Sequence, residues 1–192
     1  MAKKVKIRRA TPWDVIDITH LLKRAAGEQK KDIWYSTISI NEMKQISHVL
    51  TLIDIGYVVI AERHYTVNQE ERTQIVAAMG MGLARDDWSD DWVMQNEWTY
   101  VLPSWRDTDV ADQLITAAEI FADEHGDPAT GKGLPIIIGM MTGRDTDLKD
   151  KLMKRKGYQY GGGNFVRAPS DVQEIQDDDT EAGDSSVAGS GQ

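Results

Sequence analysis

The stretch TYVLPSWRDTDVADQLI, residues 99–115, places Arg106, Asp107, Thr108 and Asp109 at what reads as the end of a strand and the start of a helix. A helix N-terminus binds anions, because its first backbone N–H groups lack helical partners and its dipole favours negative charge. Phosphate loops of this kind use glycine so that the backbone can approach the ligand. Here Asp107 and Asp109 stand in the loop instead. A carboxylate turned toward a phosphate costs roughly 1 kcal/mol or more per close pair at effective dielectrics of 20–80. The alternative is that Thr108 or Asp107 caps the helix and Asp109 sits in its first turn, where acids favour the dipole. The sequence leaves both readings open.

A second phosphate-like motif is GDPATGKG, residues 126–133, which satisfies G-x-x-x-x-G-K. Gly133 stands where Ser or Thr should hold magnesium. The loop also follows a helix and opens a strand, the reverse of a P-loop, so N–H groups and dipole would not converge on a phosphate. Lys132 is therefore read as part of a connection. No cysteine is present, and His20, His48, His64 and His125 are scattered. No metal site is expected.

These side chains must be positioned by the surrounding elements. Residues 5–11 read as a strand. Thr11 and Pro12 then open a helix that Gly27 ends, with Val15, Ile18, Leu21 and Leu22 on its apolar face. A second helix starts at a Ser39 cap, with Ile46, Val49, Leu50 and Ile53 as its stripe. Strands at 55–65 and 73–85 flank the polar turn VNQEER and form a hairpin. In the strand WVMQNEWTYVL, 92–102, simple alternation puts Val93, Gln95, Glu97, Thr99 and Val101 on one side. Trp92, Met94, Asn96, Trp98, Tyr100 and Leu102 take the other. Trp88, Trp92 and Trp98 line a cleft or fill core and rim. Residues 108–125 have helical spacing, LPIIIGMM is a buried strand, DTDLKDKLMKRKG is a short helix ended by Gly157, and YQYGGGNFVRA closes the fold as a hairpin.

The resulting order, β α α β β β α β α β β, predicts an α/β fold with a mixed sheet and helices on both faces. Residues 1–168 are read as one domain and residues 169–192 as a disordered acidic tail. Residues 171–192 carry seven acidic groups and no Lys or Arg, so of the net charge of −9 the rest of the chain holds only −2. Such a near-neutral body argues against a nucleic-acid partner. No run of 18 apolar residues predicts a membrane span, and no apolar stretch follows the basic N-terminus to make a secretory signal. A cytoplasmic location is the expectation.

The element order and the segment YVLPSWRDTDVADQLI together resemble the GNAT superfamily of acyl-CoA-dependent N-acyltransferases, over roughly residues 5–167. The resemblance implies a mostly antiparallel sheet whose fourth and fifth strands splay into a V. It implies acetyl-CoA as cofactor, with pantetheine bonding to backbone near Val101 and pyrophosphate on Arg106, Asp107, Thr108, Asp109, Val110 and Ala111. Arg106 and Ala111 fit the ends of the family's loop pattern, whereas Asp109 replaces its glycine. The family's frequent Asn falls at Thr146, and its thiolate-protonating Tyr is replaced by Met153. Glu97, on the fourth strand, is the implied general base. The acceptor would be an amine, on a small molecule or a protein. The departures at Asp109 and Met153 also admit a non-catalytic assembly protein, as a homo-oligomer or as a virion partner, since the chain resembles the GNAT-like proteins with degenerate loops that occur among tailed-phage genes. Its place would then be the host cytoplasm or the virion.

Overall fold

The computed structural model describes residues 4–29, 41–85, 91–126, 131–139, 146–161 and 164–167. The acidic tail, Trp88 and the expected cap Ser39 lie outside the described residues. The elements run β1 (Lys6–Arg9), α1 (Val15–Gln29), α2 (Glu42–Ile55), β2 (Tyr57–Val67), β3 (Glu70–Arg85), β4 (Trp92–Val101), α3 (Val110–Glu124), β5 (Ile136–Gly139), α4 (Thr146–Arg155), β6 (Gln159–Gly161) and β7 (Asn164–Arg167). They form one sheet in the order β1-β2-β3-β4-β5-β7-β6. Only the β4–β5 neighbours are parallel.

Side-chain parity fixes the layers. Tyr57 pairs with Met81, and its ring stacks on Phe121 of α3 with centroids 4.0 Å apart. Tyr100 pairs with Ala78, one step out of phase on β3, and its hydroxyl bonds Glu28 of α1. Hence α3 covers one face of the sheet and α1 the other. α2 packs beside α1, and Lys156, just after α4, reaches Thr116 and Glu119 of α3. The core lies between these layers, centred on Val58–Ala61, Val76–Met79, Met81 and the buried faces of the helices.

Local differences from the expected elements have local causes. A 3₁₀ turn over Pro12–Asp14 precedes α1, and α1 runs through Gly27 to Gln29. Gly27 has an ordinary helical sign of φ, so it breaks nothing. α2 is capped by Asn41, whose side chain accepts from the Lys44 N–H at 3.1 Å. Its buried stripe is Val49, Leu52 and Ile53, with Leu50 turned outward. The β2–β3 turn is only Asn68–Gln69, with φ of 53° and 68°. Two left-handed residues match the hairpin's twist, so Glu70–Arg72 join the strand rather than the turn. β1 pairs with β2 only up to Glu62, and β4 pairs with β3 only from Ala77. Among the described residues, the tip of the hairpin is thus a two-stranded ribbon extending beyond both neighbours.

An ion cluster ties β1, β2 and the entry to α1. Arg8 donates two bonds to Asp14, both at 2.9 Å, and two to Glu62, at 2.7 and 3.3 Å. Asp14 also accepts from the N–H and hydroxyl of Thr11. The Arg8 hydrogen bonds hold the Asp14 carboxyl down to about 2 against an ordinary 3.8. A depressed acid stabilises the fold above its unfolded pKa and loses that contribution as pH falls through its folded value. We expect about 2 kcal/mol of unfolding free energy to disappear between roughly pH 4 and pH 2, and Asp14→Asn to remove that pH dependence in urea titrations.

Candidate active site

The parallel pair β4–β5 is joined only at Met94–Ile136 and Gln95–Ile137, besides a bond from the Met94 N–H to the Pro135 carbonyl at 2.8 Å. From Asn96 to Val101, β4 has no β5 partner among the described residues. The ladder stops at Gln95–Ile137 although Ile138 and Gly139 continue β5, so the two strands begin to part there, as the expected V requires. The Leu102 N–H bonds back to Val76 of β3 at 2.9 Å. Successive residues turn their backbone groups to opposite edges, so the N–H and C=O of Val101 face the gap.

Glu97 is not on the side expected for it. Gly80 pairs with Trp98 but Met81 pairs with Asn96, so Glu97 is an extra residue, a bulge in β4. A bulge resets alternation. The Glu97 Oε1 lies 2.9 Å from where a Gly82 Cβ would stand, and the Trp98 indole overlies the Cβ position of Gly80. Gly80 and Gly82 share a face with Ala78, hence with Tyr100 and α1. Glu97 and Trp98 therefore sit side by side on the α1 face, while Val101, paired with Ala77, lies on the α3 face. The two glycines make a trench that any side chain would fill. The exposed Glu97 carboxylate has no ion pair or hydrogen bond among the described residues, and the Trp98 indole N–H is buried without a partner. Trp92 and Trp98 are half-buried against the core.

The loop after β4 makes a 3₁₀ turn, Pro103–Trp105, anchored by buried Trp105. Arg106 folds back from it. Its Nε donates to the Val101 carbonyl at 3.1 Å, and its Nη2 donates to Glu28 at 2.5 Å. The other Glu28 oxygen accepts from the Tyr100 hydroxyl at 2.7 Å, and the guanidinium stands 5.5 Å from the Tyr100 ring centre. Burial first, then Glu28, pushes the Tyr100 hydroxyl up to about 12, so it stays a donor. Asp109 does not lie in the first turn of α3; it is the N-cap, and Asp112 takes the first-turn place. The Asp109 side chain is exposed and makes no capping bond. Thr108 donates to the Trp105 carbonyl at 2.6 Å and accepts a long bond, 3.4 Å, from the Val110 N–H. Asp107 is exposed and Ala111 half-buried. The second and third N–H groups of α3, on Ala111 and Asp112, are thus not consumed by Asp109.

No protein-family model and no curated protein sequence matches the chain. Solved structures do. A GNAT family acetyltransferase from Listeria monocytogenes is 17% identical, with 86% of this chain and 96% of that one covered at a TM-score of 0.56. One from Brucella melitensis, in complex with acetyl-CoA, is 12% identical, with 87% and 89% covered at 0.56. An aminoglycoside acetyltransferase from an uncultured soil metagenomic sample, in complex with sisomicin, is 16% identical, with 82% and 91% covered at 0.55. The chain has the GNAT fold.

Within the GNAT fold the remaining candidates fall as follows. Thr146 is the first residue of α4. Met153 is 5% exposed in the core, so a hydrophobe packs where the family's acid would stand. Tyr158 is buried beside it, its N–H bonded to the Met153 carbonyl. Lys132 is exposed between α3 and β5, with Gly131 at φ 68° turning the chain. Among the described residues no group of His, Cys, Asp or Glu could hold a metal ion. None of the described helices is long and apolar enough to cross a membrane. Sequence reading missed three contributors to this region. Glu28 lay past the supposed end of α1 at Gly27. Arg155 and Lys156 bring cations to 3.7 and 3.3 Å from Asp112, in the first turn of α3. Basic residues at the end of α4 were the only signal for that pair.

Proposed function

We propose that the chain is an acetyl-CoA-dependent N-acyltransferase acting on an amine acceptor, small molecule or protein. The observation that carries this reading is the β4–β5 gap, with Val101 backbone groups turned into it and uncapped N–H groups of α3 at its end. That arrangement fits an acyl-CoA: Val101 would hold the pantetheine amides. The loop Arg106, Asp107, Thr108, Asp109, Val110 and Ala111 would hold the pyrophosphate, and Thr146, at the start of α4, is the remaining candidate cofactor contact. Acetyl-CoA supplies the activated acyl group. Glu97, exposed and unpaired on the α1 face, would take the proton from the incoming ammonium, directly or through water. Trp98 beside it would form the wall of the acceptor cleft. With Met153 at the place of the acid, the departing thiolate would take its proton from solvent.

The fit is incomplete at the loop, where Asp107 and Asp109 oppose an anion. That observation, with the buried Met153, supports a second reading: a non-catalytic GNAT-fold assembly protein, as a homo-oligomer or in a phage virion. Thermal melting with acetyl-CoA separates the two. Specific binding at 100 times Kd should add roughly 2.7 kcal/mol of stability. No shift at millimolar acetyl-CoA would favour assembly.

Charge removal at the loop is a sharper measure. Asp109→Gly is expected to tighten acetyl-CoA binding about fivefold, on the order of 1 kcal/mol. It should also cost roughly 0.3–1 kcal/mol of stability each from lost dipole interaction and added backbone freedom. Asp109→Asn keeps the bulk and should give the charge part alone. Calorimetric titration of the three chains checks this, and weaker binding by both variants would assign Asp109 to a working site.

A further inference from the structure

We propose that Glu28 is a positioning residue that latches Arg106 across the mouth of the β4–β5 gap, and that an anionic ligand opens the gap by drawing Arg106 away. The inference rests on the acyl-CoA reading of this site. Arg106 is the only cation among residues 103–111. Its Nε covers the Val101 carbonyl, which otherwise faces the gap as a free acceptor, while its Nη2 is held by Glu28. Glu28 is itself fixed from below by the buried Tyr100 hydroxyl. One salt bridge therefore does two things. It shuts the backbone acceptor that an amide-bearing ligand needs, and it neutralises the loop's single positive charge, leaving Asp107 and Asp109 unopposed there.

The latch is built to release. Arg106 and Glu28 are 42% and 36% exposed, so water and salt screen the pair and its strength is modest. A pyrophosphate on the α3 N–H groups offers Arg106 more negative charge than one carboxylate, in bidentate geometry. Movement of Arg106 to that anion would uncover Val101 at the same moment. Cation delivery and opening of the amide acceptor are then one motion, and Glu28 sets how strongly it is resisted.

The test uses the full chain labelled with nitrogen-15, in wild-type, Glu28→Gln, Arg106→Gln and doubly substituted forms of matched melting temperature. Exchange of the Arg106 Nε–H with solvent is followed by NMR, and affinity for inorganic pyrophosphate and acetyl-CoA by calorimetry. Glu28→Gln should speed that exchange at least about tenfold and tighten both ligands up to about fivefold, the range an exposed ion pair can supply. The gain should vanish when Arg106 is also glutamine. Unchanged exchange, affinities for both ligands equal to or weaker than wild type, or acetyl-CoA binding wild type and Glu28→Gln alike would overturn the latch. Tighter pyrophosphate binding by Glu28→Gln, with no acetyl-CoA binding by either chain, would leave the latch standing and remove the acyl-CoA reading instead.

Discussion

The Arg8→Met chain is expected to unfold about 3–5 kcal/mol more easily than wild type, because it leaves two nearly buried carboxylates without their cation. Asp14 and Glu62 keep only 11% and 10% side-chain exposure, and Arg8 bonds both. The control is the chain with Arg8→Met, Asp14→Asn and Glu62→Gln together. Removing the stranded charges should return a substantial part of the stability. Urea unfolding of the three chains reads both effects. A loss below 1 kcal/mol would mean that water reaches the cluster freely and that β1 is held by its ladder alone.

Glu97→Gln is expected to lower kcat for acetyl transfer by about 10²–10⁴-fold with the melting temperature unchanged. The carboxylate is exposed and unpaired among the described residues, so its loss should cost the fold little, whereas a neutral amide cannot accept the proton. Acetyl-CoA affinity should stay within a factor of two, since Glu97 stands on the α1 face and Val101 on the other. An unchanged rate across an amine panel would move the base elsewhere. A parallel drop in cofactor binding would show that Glu97 shapes the gap rather than the acceptor side.

The element order was legible because the chain's apolar spacing changes cleanly between helical and strand periods, and Gly157 at φ 81° closes α4 where expected. The splay was legible only through family resemblance, since Ile136–Gly139 reads as an ordinary buried strand. The face of Glu97 was not legible. A bulge inserts one residue without a signature of its own, and NEWTY continues a plausible alternation through it. The hint lies on the neighbouring strand, where Gly80 and Gly82 leave room for Trp98 and Glu97 on one side. The Arg106–Glu28 pair joins positions 78 apart in sequence, so no local pattern could announce it. Capping preferences favoured Thr108 or Asp107 at the start of α3, but Asp109 takes the cap position and turns to water. Only the structure shows the helix end still open.

Among the described residues no strand pairs with the hairpin tip beyond Glu62 and before Val76 on either side, which makes it a template on which another extended chain could add. Its composition works against that. Arg63 and His64 on one strand, and Glu70, Glu71 and Arg72 on the other, would have to surrender hydration to any incoming strand. Arg63 also lies 4.4 Å from the Tyr65 ring centre, shading an aromatic that would otherwise favour stacking between chains. The ribbon can therefore project far from the core without seeding aggregation, and its charges serve solubility rather than stability. Neutralising them together should leave the melting temperature nearly unaltered and shorten the time to turbidity on standing.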